Sequence, residues 1–531
     1  MIIILYTILT IIFSYPLVSE MTTYIQGVGD AWHDLSMFWY AKKAIVDKDP
    51  LVNLTYNNYI YYPYGAPNVP EFPFATLLSV PLQLLLGLAA TYNILWLMSF
   101  IISAFGAYLL VKYLTHNEYA AIFSGIVFSF SPYHFAHGFG HMGLLTIEWI
   151  PFCALYVIKL YRKYSIINSL LAAIFFLLTA MSDLHYLIYM SLFIGLLILY
   201  DLYNTLKSNT KLSNNTFTIS YLEQIAPLFK KYWLFIFISF IGMLPVGYYL
   251  MCIVFLSDNF IKMPITDAVT YSADLTGFFI PSPFHPFYGD WLYNNVYTHF
   301  TGNPSEYTTF VGYIVLILSL YTFIILRKDK EIRFWSLSAL FFFLMALGPI
   351  LHIFGVFRFT SYYIPLPFLA FYFMPIIGLD RTPCRYSIMV MLCLTVLAGY
   401  GLSIILNKLK GINNKRIFFL IATIILLFEF LSSPSLSLID RPVFYENISH
   451  DKEKYALLEI PLTYDYNAGV KIQYYQVYHN KPIIGGQMAR VPSDSRFFER
   501  HTPVINELSY LTAMPDILNQ NNSAIGNTIS E

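Results

Sequence analysis

Closely spaced histidines and acids are where this chain could do chemistry. His134-x-x-His137-x-x-x-His141 can offer two imidazoles on one helical face, as zinc ligands often do, although Gly138, Gly140 and Gly143 argue against a regular helix there. Asp183-Leu184-His185 would set both side chains on one face of an extended segment, suited to an acid/base pair or to metal ligands; a cap at a helix end fits the same residues. Gly29-Asp30, with His33 and Asp34 behind it, and Glu148 add further ionisable groups. Asp380-Arg381-Thr382-Pro383-Cys384-Arg385 carries two guanidiniums able to grip phosphate bidentately, or to reach lipid headgroups. Tyr64, in Tyr61-Tyr62-Pro63-Tyr64-Gly65-Ala66-Pro67, can stack on a sugar ring, and an interfacial aromatic belt accounts for it almost as well. Taken alone, each His or Asp has the plainer reading of a hydrated group near a membrane surface.

The elements that would position these residues are membrane helices. The chain is 57% hydrophobic, 18% aromatic and only 12% charged, against roughly 25% charged in soluble domains. So many all-round apolar helices could not be hidden in water. The formal net charge is zero, and no nucleic-acid partner is expected. Apolar runs near the ~20 residues that cross a bilayer predict about eleven spans. They cover 1–18, 92–113, 118–133, 143–161, 166–181, 186–203, 233–256, 308–326, 334–351, 386–406 and 417–434. The run 1–18 has no basic residues before it and no small-residue cleavage site, and reads as an uncleaved span. Cys153, Cys252, Cys384 and Cys393 suggest neither a disulfide framework nor a zinc motif.

Basic residues set the expected orientation. They gather at Lys112, at Lys159, Arg162 and Lys163, in 204–232, in 327–333 and in 408–416, and the spans put all of these on one side. The positive-inside rule makes that side cytoplasmic, with the N-terminus inside and the C-terminus outside a cell membrane. The opposite gaps before the tail hold only Lys42, Lys43, Lys48, Lys262, Arg358, Arg381 and Arg385. Segments 74–89 and 362–377 are apolar, but counting either as crossing breaks the pattern, so both are expected as interfacial or re-entrant helices on the outer side. Of the twelve histidines only His116 then falls inside.

Three regions face outward in this reading: a first loop, 19–91, with an amphipathic stretch at 35–45; a second loop, 257–306; and the C-terminal region 435–531. In the last, 456–460 and 472–478 suggest strands of a small module, and the Asn/Ser-rich end suggests disorder. His479 and Arg490 are its polar positions to watch, with local structure the plainer role. The outward sequons Asn53-Leu54-Thr55, Asn447-Ile448-Ser449 and Asn521-Asn522-Ser523 carry little weight. The expected fold class is an all-α polytopic membrane protein, with a transmembrane unit at 1–434 and a small extracytoplasmic α/β domain after it.

Taken together, these features resemble the GT-C superfamily of membrane glycosyltransferases, which includes protein O-mannosyltransferases, lipid A aminoarabinose transferases and oligosaccharyltransferases. In that superfamily the first span is followed by a large outer loop with an acidic residue near its start and juxtamembrane helices. Here Gly29-Asp30, 35–45 and 74–89 occupy those places, and Tyr92 would begin the second span. Later segments look like those of prokaryotic members. They are Phe128-Ser129-Phe130-Ser131-Pro132-Tyr133 with His137 and His141, Trp149-Ile150-Pro151, Asp274 with Pro281-Ser282-Pro283, Glu306 with Gly312, and Arg381 to Arg385.

The resemblance covers about residues 1–435 and implies a polyprenyl-phosphate-linked sugar donor, with transfer on the outer face to a glycan, lipid or protein acceptor. It implies Asp30 as the catalytic base or, in metal-dependent members, a ligand to a divalent metal ion. Asp183 and His185 would be acid/base partners or second-site ligands, and a metal would draw on Asp30, Asp183, His137 and His141. Arg381 and Arg385 would hold the lipid phosphate, with Glu306 and Tyr64 also touching substrate. The paired Asp-Glu of mannosyltransferases and a sequon-reading motif are missing, which leaves the acceptor open. Two other functions stand beside this one. A transporter or flippase of lipid-linked saccharide is disfavoured, because no paired repeat is visible and the polar residues gather at one face, not the midplane. A non-catalytic scaffold in cell-surface polymer assembly stays open.

Overall fold

The computed structural model describes residues 1–67, 71–212, 221–256, 264–360, 362–374, 377–460, 466–488, 491 and 494–505. Lys262, Arg490, the sequon at 521–523 and the Asn/Ser-rich end lie outside the described residues.

Helix formation follows the apolar runs. The helices are α1 (Ile2–Phe13), α2 (Asp30–Lys42), α3 (Pro73–Leu86), α4 (Leu88–Thr115), α5 (Glu118–Ser129), α6 (Pro132–Gly138), α7 (Met142–Leu145), α8 (Trp149–Arg162), α9 (Ile166–Ser182), α10 (Leu184–Leu212) and α11 (Tyr221–Leu256). After them the main ones are α12 (Pro304–Tyr307), α13 (Tyr313–Leu326), α14 (Lys330–Ala346), α15 (Ser387–Lys408), α16 (Ile412–Glu429) and α17 (Tyr466–His479). Every run expected to span contains a helix. Among the described residues, four stretches are long and apolar enough to cross a membrane: Leu88–Thr115, Leu184–Lys207, Ala226–Tyr248 and Pro383–Lys408. The helices α1, α3, α9 and α13 are apolar but shorter.

Polar caps and ion pairs collect at one end of the bundle. Asn117 caps α5 by accepting from the Ala120 amide at 3.1 Å, and Asp329 caps α14 by accepting from Glu331 and Ile332. Arg162 forks onto Glu331 with two bonds of 2.6 Å, and Tyr400 donates to the same carboxylate. Lys159 lies over the Tyr113 ring, and the Tyr200 hydroxyl donates to the Lys330 carbonyl. The basic clusters near Lys112, Lys159 and 327–333 thus share one end. Within the bundle, helices are tied by small polar side chains, such as Ser103 to Ser129 and Thr322 to the Leu397 carbonyl.

The first loop and the C-terminal region pack on each other at the other end. Strand Tyr24–Gln26 pairs antiparallel with Leu436–Leu438, with Ile25 opposite Ser437. Buried Asn93 of α4 clamps the loop, accepting from the Gln26 amide and donating to the Met21 and Tyr24 carbonyls. The 35–45 stretch, expected to be amphipathic, is enclosed in its first half: from Ala31 to Ala41 all but Met37 is buried, whereas Lys42 to Ile45 are not. Its cover is α17, where Tyr474 packs on Trp32 and Gln476 joins the Tyr40 hydroxyl to the Tyr59 carbonyl. Segment 472–478 is therefore helix and not strand. Its buried Gly469, Val470, Gln473, Tyr474 and Gln476 recur at helical spacing, and docking that face overrides the strand preference of Ile, Val and Tyr. Segment 456–460 supplies a single bridge, Leu457 to Ile483. In 362–377 the described residues hold a five-residue helix, Phe368–Tyr372.

Candidate active site

Asp30 is the first residue of α2, where the exposed amides of a helix N-terminus favour a carboxylate. The chain reaches it along a backbone contact that leaves no room for side chains. The Val28 amide donates to the Phe139 carbonyl at 3.0 Å. A Cβ on Gly140 would lie 2.7 Å from the Val28 oxygen, and one on Gly27 would lie 3.0 Å from the Phe139 carbonyl. This seat brings Asp30 Oδ2 to 3.0 Å from His141 Nε2. Just behind, Asp34 Oδ2 accepts from the Met142 amide at 2.9 Å, fixing α7 to α2.

The charges in this cluster follow from burial and pairing. Burial alone would raise Asp30, but the bond to and charge of His141, with help from Tyr466 and His33, hold its carboxyl below the ordinary value. Burial alone would lower His141, and Asp30 instead raises it. The two therefore form an ion pair. Asp34 goes the other way: burial pushes it well up, and the Asp30 and Glu71 charges add to the rise against the Met142 amide. His137, fully buried, is held well below its ordinary value by desolvation, against the pull of Glu306. Asp30 Oδ1, His33 Nδ1, His137 Nδ1 and His141 Nδ1 have no hydrogen-bond partner among the described residues.

A second cluster lies across α7. Asp183 ends α9, and its Oδ1 accepts from both the His185 amide (2.7 Å) and His185 Nδ1 (2.6 Å). The cap and the acid/base pair are thus the same arrangement. With Nδ1–H given to Asp183, His185 Nε2 is left to accept from Arg385 Nη1 at 3.4 Å. Arg385 forks onto Glu306, with Nε at 3.0 and 3.1 Å from the two oxygens. Burial would raise Glu306, but the Arg385 charge, then His137, hold it well below the ordinary range. Asp380, with its side chain fully buried, lies 3.6 Å from His185 Nε2 and accepts from the Tyr189 hydroxyl at 3.1 Å. The clusters adjoin: a Cβ on Gly143 in α7 would meet Asp183 Oδ2 at 2.8 Å, and the Glu306 charge acts on both His137 and His141.

Asp30, His137, His141, Asp183, His185, Glu306 and Arg385 are therefore brought together. Arg381 points elsewhere, 3.8 Å from Asp267 and over the Tyr271 ring. Tyr64 also stands apart, its carbonyl accepting from Tyr56 and its ring against Phe497. His134 makes no ligand: its two nitrogens face the Ser129 and Leu145 carbonyls. Of the donors expected for a metal, Asp30 touches His141 while Asp183 is taken by His185, and no three His, Cys, Asp or Glu among the described residues are placed to hold an ion. That arrangement does not fit the four-donor set expected from the sequence. Asp380 went unassigned in the sequence although it opens the Asp-Arg-Thr-Pro-Cys-Arg segment. An acid flanking two arginines is the signal the sequence carries.

No protein-family model matches the sequence, and no curated protein matches it. The fold is shared with a solved structure, and two others superpose less closely. The oligosaccharyltransferase AglB from Archaeoglobus fulgidus, in complex with an inhibitory peptide and a dolichol-phosphate, superposes with a TM-score of 0.50 at 11% identity, over 96% of this chain and 68% of that one. The arabinofuranosyltransferase AftD from Mycobacteria gives 0.49 at 13% identity, over 91% of this chain and 31% of that one. ArnT from Cupriavidus metallidurans, bound to undecaprenyl phosphate, gives 0.46 at 11% identity, over 94% and 88%. The likeness to the A. fulgidus structure extends the resemblance read from the sequence to the fold.

Proposed function

We propose that this chain is a GT-C membrane glycosyltransferase that moves a sugar from a polyprenyl-phosphate-linked donor to an acceptor at the outer membrane face. The observation that carries this reading is the state of Asp30, a carboxylate at a helix N-terminus held charged by its ion pair with His141. The shared fold supports it, since the A. fulgidus enzyme was solved with dolichol-phosphate.

In this reading the Asp30 carboxylate takes the proton from an acceptor hydroxyl. The acceptor oxygen bonds to the anomeric carbon as the bond from that carbon to the lipid phosphate oxygen breaks, and the phosphate leaves with the electron pair. Arg381 stands outside the cluster, loosely paired with Asp267 at 3.8 Å, and would meet that growing charge only by turning from Asp267 toward the lipid phosphate. Arg385 is held by Glu306 and oriented by His185, and so fixes the field near the site. Asp183 holds His185 in the tautomer that does this. Tyr64, part-exposed with its ring edge on Phe497, stands apart from the cluster and would touch only a part of the substrate remote from the reacting centre. The paired donors give no basis for routing a step through a metal.

The test is reconstitution of the purified chain with labelled polyprenyl-phosphate sugars and candidate acceptors. Transfer of label to an acceptor supports the reading. A chain that moves no sugar from any donor, yet exchanges lipid-linked saccharide across liposomes, is a transporter; one that does neither is a scaffold. Labelling of cysteines introduced near 74 and 362 tests the outward placement of both segments.

A further inference from the structure

The C-terminal region is laid along the first loop on its approach to Asp30 and past it. The Gly27 amide donates to the Ser435 carbonyl at 2.6 Å, and the Ser437 hydroxyl donates to the Gly27 carbonyl at 2.6 Å. Two residues on, a Cβ on Gly29 would lie 2.9 Å from Asn467 Oδ1, so the start of α17 closes directly over the N-terminus of α2. Beside this contact the side chains of Asp30 and Tyr466 are hydrogen-bonded, the phenol donating to the carboxylate. Farther along α2, Tyr474 packs on Trp32 with ring centroids 4.8 Å apart, and Lys471 lies over the same Trp32 ring.

These contacts divide the tasks of α17. Tyr474 and Gln476 are buried and anchor the helix on α2, whereas Tyr466 stays 38% exposed, so burial accounts for little of its placement. Its hydroxyl goes instead to the acid at the centre of the site. His141 reaches Asp30 from between α6 and α7, and Tyr466 reaches it from the C-terminal region, so two separate elements hold one carboxylate. Holding a reacting group from two sides narrows the geometries it samples, and proton transfer from a bound hydroxyl depends on that narrowing.

We propose that the C-terminal region is part of the active site, with Tyr466 as a positioning residue that holds the Asp30 carboxylate toward the acceptor hydroxyl. The role rests on the sugar-transfer reading; the contact does not. Y466F keeps the ring and removes the hydroxyl. In the full purified chain, assayed below the unfolding transition, Y466F is expected to lower kcat about tenfold with the donor KM unchanged, as for loss of one hydrogen bond to a charged group. D30A supplies a second arm that needs no transfer. Y466F should lower the unfolding temperature of wild type and leave that of D30A unmoved, because the partner is already gone. A wild-type kcat in Y466F, or a raised donor KM at unchanged kcat, would overturn the positioning role. An equal unfolding shift in both backgrounds would overturn the contact and the proposal with it. A wild type that transfers no sugar would sink the reading and the role together, while the unfolding arm still decides the contact.

Discussion

Asp30 and His141 are separated in the chain by four helices, α3 to α6, yet Oδ2 of one lies 3.0 Å from Nε2 of the other. The contact exists because the backbone at Gly27–Val28 lies directly on that at Phe139–Gly140, without side chains between them. Each partner moves the other toward its charged form, and each prediction below draws on this pairing or on the cluster beside it.

Loss of His141 should shift the pH dependence of transfer. His141 lowers the Asp30 pKa, so H141Q raises it, and the ionised base is then present only at higher pH. The acid limb of kcat/KM against pH moves up in H141Q. An unmoved limb would mean that another group is the base.

The same pair should stabilise the fold within a defined pH window. Asp30 lies below its ordinary 3.8, so its contribution is full above that value and is lost as pH falls through the lower folded value. His141 lies above its ordinary 6.5, so its contribution is full below 6.5 and is lost as pH rises through the raised value. The gap in unfolding temperature between wild type and H141Q should be widest between these two values. A gap that does not change with pH would rule out the ion pair.

Breaking the Glu306–Arg385 fork should be costly. Both side chains are largely buried, and E306Q leaves an uncompensated guanidinium, at a cost of about 3–5 kcal/mol. Thermal unfolding in detergent measures this. The E306Q/R385M double variant should recover part of the loss; a double variant as unstable as E306Q would show that the charge was not the cause.

The seat of the first loop can be tested through glycine. G140A forces a Cβ to within 2.7 Å of the Val28 oxygen, and overpacking of this kind costs about 1–3 kcal/mol. Transfer should fall with it. G195A, whose Cβ meets nothing within 4 Å inside α10, serves as control and should be neutral or slightly stabilising.

Much of this was legible in the sequence, and the misses have physical reasons. Apolar runs marked the helices because a long apolar helix has few other fates, and His141, Asp183 and Arg385 stood out as ionisable groups near span ends. Segment 472–478 misled because Ile, Val and Tyr favour strands locally, whereas docking of α17 on Trp32 and Tyr40 decided the outcome. Partners could not be read. Glu306 meeting Arg385, Asp380 meeting Tyr189, and Arg381 turning to Asp267 are long-range choices set by packing, with no sequence period to announce them.

The most direct measurement is sugar transfer from a polyprenyl-phosphate donor by purified D30N beside wild type, with equal unfolding profiles as the condition for comparison. Removal of a general base is expected to lower kcat about 10²–10⁴-fold with donor binding retained. Transfer by D30N at the wild-type rate would contradict the assignment of Asp30 and, with it, the site built around it.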